Sequence, residues 1–65
     1  MCESAVYLVK GSEKHLIMQE AARVLVVGND INCVDTLGDI RTVRDVELAE
    51  ANLVRHEILL RPRKA

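Results

Sequence analysis

The sequence predicts an all-β domain: a small, barrel-like, strongly bent antiparallel sheet of five or six short strands, assembled as a homodimer. Three observations carry that expectation. Turn signals recur at short and fairly even intervals, at Gly11-Ser12, Gly28-Asn29-Asp30 and Leu37-Gly38-Asp39, the spacing of hairpin-connected strands. The runs between them are rich in Val, Ile and Leu and too short for stable helices. Finally, Arg23-Val24-Leu25-Val26-Val27 is apolar on both faces, so it must be covered on both sides. In a chain of 65 residues the second cover is expected to be another copy of the chain.

The elements follow in order. A first strand spans Cys2–Lys10, with Ala5, Tyr7 and Val9 on one face and Val6, Leu8 and Lys10 on the other. His15–Glu20 is the second, placing Leu16 and Met18 together, and Arg23–Gly28 the third. Asn32–Thr36 and Ile40–Val46 continue the sheet, and Leu53–Arg61 closes it with Ile58 and Leu60 sharing a face. The stretch Asp45–Leu53, DVELAEANL, fits a helix through Val46, Ala49 and Leu53 and a strand end through Val46-Glu47-Leu48. We read it as strand, then a turn over Ala49–Asn52. The domain accordingly covers residues 1–61, and residues 62–65 form a basic tail beyond Pro62, which stops the last strand.

Composition narrows the function. The chain is 49% hydrophobic and 29% charged, a globular balance. Domains of this size bury only about 60% of the surface that the unfolded chain exposes, and they commonly recruit a metal or a partner subunit. A formal charge of −1 argues against nucleic acid or an anionic membrane as a general electrostatic partner. Two cysteines are too few for a secreted disulfide framework, although a Cys2–Cys33 bridge is one possible use of them. Met1 runs straight into Cys2-Glu3-Ser4, without a basic stretch or an apolar core of a signal peptide. The expected setting is the cytoplasm.

No catalytic pattern is present. Three glycines make no phosphate loop, and there is no CxxC, HExxH or calcium-loop spacing; the chain is not expected to be an enzyme. Cys2 stands apart because it lies beside the chain start. Its thiolate can chelate together with the terminal amine or its own amide nitrogen. Such N,S donors suit Ni(II) or Cu(II) better than Mg or Ca. Two such ends meeting across a dimer axis would complete a four-coordinate site. The alternative is that Cys2 is a small apolar residue opening the first strand. Cys33, between Asn32 and Val34, reads as core, and His15 and His56 as strand histidines. Arg55, Arg61, Arg63 and Lys64 could meet RNA phosphates, but Tyr7 is the single aromatic, and single-strand recognition relies on stacking.

The opening Met1-Cys2-Glu3-Ser4 and the strand Ala5-Val6-Tyr7-Leu8-Val9 resemble the CooT family of small proteins. So do the GND turn, Leu37-Gly38-Asp39 and the closing Leu53-Val54-Arg55-His56-Glu57-Ile58-Leu59-Leu60. That resemblance implies an accessory protein for maturation of nickel-containing carbon monoxide dehydrogenase. It further implies a metallochaperone that binds Ni(2+) as a homodimer, with the cysteine after the initiator methionine, Cys2 here, as the metal ligand. The HypC hydrogenase chaperones also begin Met-Cys, but their cysteine is followed closely by a proline that this chain lacks. With the resemblance, a ligand role for Cys2 becomes the preferred reading; Cys33, His15 and His56 gain nothing. The expected partners are a second copy and a nickel-enzyme client. A small RNA-binding β-barrel and an adaptor without metal are the alternatives.

Overall fold

A computed structural model describes residues 3–63; Met1, Cys2, Lys64 and Ala65 lie outside the described residues. Six strands are present: β1 (Ser4–Lys10), β2 (Glu13–Val27), β3 (Asp30–Asp35), β4 (Ile40–Val43), β5 (Val46–Asn52) and β6 (Glu57–Pro62). They form one strongly curled half-barrel sheet in the order β4-β3-β2-β1-β6-β5. Among the described residues there is no helix, and hence none that is long and apolar enough to cross a membrane.

Strand β2 organises the sheet. Its first part, Glu13 to Ala21, pairs with β1, and its second, Ala21 to Val27, pairs with β3. The sheet is therefore two staggered halves joined along one 15-residue strand. Extra residues bend it. Ile17 has no partner between Leu16↔Tyr7 and Met18↔Val6, and Ala22 has none between Ala21↔Asp35 and Arg23↔Val34. Each unpaired residue is a bulge that increases the local twist and bends the strand. This explains a departure from the sequence reading, which divided β2 into His15–Glu20 and Arg23–Gly28. Ala21-Ala22 looks like a break in the β-branched run, but the chain passes through it as a bulge.

The all-β, six-strand expectation agrees with the structure, with one correction to its antiparallel pairing. Strands β1 and β6 run parallel, Val6 opposite Ile58 and Leu8 opposite Leu60. The cause lies in Arg44-Asp45, which carries the chain from the β4 edge to the opposite edge, where β5 begins. Asp45 adopts a left-handed conformation, φ 59°, and its amide donates to Asp30 Oδ1 at 2.9 Å. The Val46 amide donates to the Asn29 carbonyl at 3.1 Å. These two bonds end the strand expected over Ile40–Val46 at Val43. Arg63 N donates to the Asp45 carbonyl at 3.1 Å, tying the end of the described chain to the same crossing.

The segment from Asp45 to Leu53 resolves as strand β5, not as a short strand and turn. Ala49 is a bulge between Leu48↔Leu60 and Glu50↔Leu59, and the phase shift it introduces produced the helix-like spacing. The turn falls later, over Leu53–His56, where the Arg55 amide donates to Asn52 Oδ1 at 3.1 Å. His56 then takes φ 57°, so β6 starts at Glu57 and not at Leu53. Both halves of the sheet supply the core: Ala21, Ile31 and Cys33 from one, Val6, Val46 and Leu60 from the other. Ile17, Met18, Val24, Val43 and Ile58 pack around them. Each fully buried aliphatic side chain is worth about 1.5–3 kcal/mol.

Candidate functional site

The sequence assigns chemistry to the chain start, and Cys2 itself lies outside the described residues. Its immediate frame is described. Ser4 opens β1 opposite Ala21, and the Ala5 amide donates to the His56 carbonyl at 2.9 Å. The chain thus enters β1 between the middle of β2 and the turn that precedes β6. That turn carries Leu53 and Val54, 75% and 90% exposed, followed by Arg55 at 3.9 Å from Glu57. On the outer face of β1, Lys14 Nζ lies 4.4 Å from the centre of the Tyr7 ring and 3.6 Å from Glu57.

The second cysteine is elsewhere. Cys33 is a free thiol in the core with no exposed surface, opposite Val24 on β2 and Arg41 on β4. Burial raises its pKa, because the thiolate would lose its water, and the Arg41 charge only partly offsets that. A neutral, enclosed thiol is a poor nucleophile and a poor metal ligand. The expectation that Cys33 is core is met.

The histidines are not gathered. His15 sits opposite Leu8, exposed, with Nε2 3.0 Å from Glu13 Oε1. His56 is in the turn before β6, not within a strand as the sequence suggested, and its backbone adjoins the start of β1. Among the described residues no three His, Cys, Asp or Glu side chains come together as a metal group. A cavity of about 330 Å³ is lined by Met18, Gln19, Glu20, Asp35, Thr36 and Leu37. It occupies the step where β3 ends beside β2. Asp35 is already engaged there, its Oδ1 accepting from the Leu37 and Asp39 amides at 2.9 and 3.0 Å.

The basic residues of the last strand are likewise occupied. Arg61 Nε bonds Glu47 Oε2 at 2.7 Å, and Arg63 lies 3.8 Å from the same carboxylate. The Arg61 hydrogen bond holds the Glu47 carboxyl below its ordinary range. Arg55, expected on the same strand, stands apart in the turn. Sequence reasoning did not find this acid-centred pairing, which alternation across β5 and β6 could have shown once β5 was read as a full strand.

Comparison with known proteins agrees with the topology. The chain superposes with a TM-score of 0.86 on the crystal structure of a protein provisionally named CooT from Carboxydothermus hydrogenoformans. The match covers 97% of this chain and 100% of that one at 19% identity, a likeness that speaks for the fold. No curated protein matches the sequence. The family model of the CO dehydrogenase accessory protein CooT matches residues 1–61, a stretch that runs from the Met-Cys start through nearly all of β6. The chain belongs to the CooT family of CO dehydrogenase accessory proteins.

Proposed function

We propose that this protein is a nickel metallochaperone: a cytoplasmic homodimer that holds one Ni(II) per two chains through Cys2 and passes it to a nickel enzyme, carbon monoxide dehydrogenase being the client its family suggests. The observation that carries the reading is the division of labour between its thiols. Cys33 is sealed in the core and kept neutral, so Cys2, at the family's Met-Cys start, is the thiol left for metal. Cys2 thiolate with the terminal amine or an amide nitrogen supplies part of a planar donor set suited to Ni(II). A second copy supplies the remainder, since the described residues offer no further ligand group. An ion held at a chain end exchanges by stepwise ligand substitution, which suits hand-over better than a caged core site.

The occupied basic residues weigh against RNA. Arg61 and Arg63 share Glu47, and Lys14 lies over Tyr7, so the basic end of the last strand is paired with acid and the ring is not an open stacking platform.

The test is a Ni(II) titration of the reduced protein, followed by thiolate-to-metal charge-transfer absorbance. The band should saturate near one nickel per two chains, vanish in Cys2→Ser and persist in Cys33→Ser. Absence of the band in the unaltered protein, or its survival in Cys2→Ser, would overturn the assignment.

A further inference from the structure

The two histidines are equivalent in the sequence but not in the fold. His56 lies beside the first strand: its carbonyl accepts the Ala5 amide at 2.9 Å, and the next residue, Glu57, pairs with Ala5 in parallel register. Ala5 is three positions after Cys2, and three residues of chain span at most about 11 Å. His56 is exposed. Because the bond to Ala5 is made by the carbonyl, it leaves both ring nitrogens out of it. His15 is the contrary case. It is opposite Leu8, four positions and about 13 Å along β1 beyond Ser4, and its Nε2 is 3.0 Å from Glu13 Oε1.

We infer that His56, through its imidazole, is a second protein ligand to the nickel ion held by Cys2. This adds a donor to the metallochaperone reading above, on which it rests. Imidazole suits Ni(II), whereas carboxylate oxygen suits harder cations such as Mg and Ca, which ranks His56 above Glu3. Glu57, the other carboxylate near the start of β1, is already approached by Lys14 at 3.6 Å and Arg55 at 3.9 Å. The His56 backbone is left-handed, φ 57°, a conformation that suits glycine better, and an imidazole is the chemistry that glycine would lack. No three donors gather among the described residues; His56 is a single donor and joins Cys2, with no site of its own. Its backbone is tied to β1, so it offers the ion one donor whose place is set by the sheet.

The test is X-ray absorption at the nickel edge of the reduced, nickel-loaded full chain. Outer-shell scattering from imidazole should be present in the unaltered protein and in His15→Asn, and lost in His56→Asn. Asparagine tolerates the left-handed backbone, and its amide is a poor donor for Ni(II). In competition with a chelator, His56→Asn should raise the nickel dissociation constant at least about tenfold, since loss of an outer-shell partner alone costs that much; His15→Asn should leave it unchanged. The scattering from the unaltered protein does not depend on a variant folding. Its absence there, its survival in His56→Asn, or an unchanged dissociation constant in His56→Asn would each overturn the inference. The two readings fail apart. A protein with no thiolate-to-metal charge-transfer band loses the nickel reading altogether, whereas a Cys2-dependent band without imidazole scattering leaves that reading standing and removes His56 from it.

Discussion

The two halves of β2, each paired on one side only among the described residues, differ in composition. Along Glu13–Glu20 the exposed positions are mostly polar or charged, Glu13, Lys14, His15, Gln19 and Glu20, with Leu16 the apolar exception at 52% exposed. The carbonyl of the bulged Ile17 receives a hydrogen bond from Arg41 Nη1 at 3.1 Å, and the β3–β4 turn stands beside it. Along Arg23–Val27 the charge is confined to Arg23, and Val26 and Val27 are 64% and 53% exposed. One strand thus carries a mostly polar first half and a mostly apolar second half.

That contrast can be broken most severely from behind. Ile31 in one half and Leu60 in the other are fully buried, and replacing either by Ala should cost about 2–5 kcal/mol in a denaturant titration. Both variants should unfold in a single transition, because one core serves both halves; two separate transitions in either would show that the halves fold independently. A smaller effect is expected at the guard. Arg41→Met removes the bond to Ile17 and should cost about 1 kcal/mol. It should also speed hydrogen exchange around Ile17; unchanged exchange there would show that the bond does not hold the bulge.

The thiols report the same boundary chemically. In the native reduced protein, alkylation should modify one cysteine per chain quickly, Cys2, and leave Cys33 untouched until unfolding. Fast labelling of Cys33 would contradict its burial. The raised Cys33 pKa also sets a sign. The unfolded chain loses this proton more readily, so the contribution to stability is complete below about pH 8.5 and declines as pH rises above it. Glu47 acts in the opposite direction and with the smallest effect. Its folded pKa is depressed by Arg61, so its contribution is present at neutral pH and is lost as pH falls through and below the usual carboxylate range. Glu47→Gln should flatten the acid limb of a melting-temperature profile; an unchanged limb would show the pair to be neutral in stability.

Local chemistry gave away most of the fold. Gly28-Asn29 marked the β2–β3 hairpin, and the apolar run Val24–Val27 marked a strand in need of cover. What local chemistry hid was phase and distance. Ala22 and Ala49 are bulges, and one unpaired residue shifts the alternation on which strand reading depends. The parallel β1–β6 pair leaves no turn signal, because its members are joined by the rest of the molecule. The proposed metal ligand was harder still: one cysteine has no spacing to read, and only its place beside the chain start and the family resemblance drew attention to it. Burial of Cys33, by contrast, agreed with its setting between strand residues.

The parallel pairing has a temporal consequence. Val6 meets Ile58 fifty-two positions later in the chain, so the first strand is made first and receives its second neighbour last. Contacts of such sequence separation slow folding. On the ribosome, β1 and β2 can form their hairpin early, but the inner face around Val6 stays open until the final strand emerges. Chains interrupted anywhere before β6 lack the strand that closes this face. The sheet thus acts as a completeness check: a nascent chain cannot finish the frame of its first residues until it has made nearly all of its last.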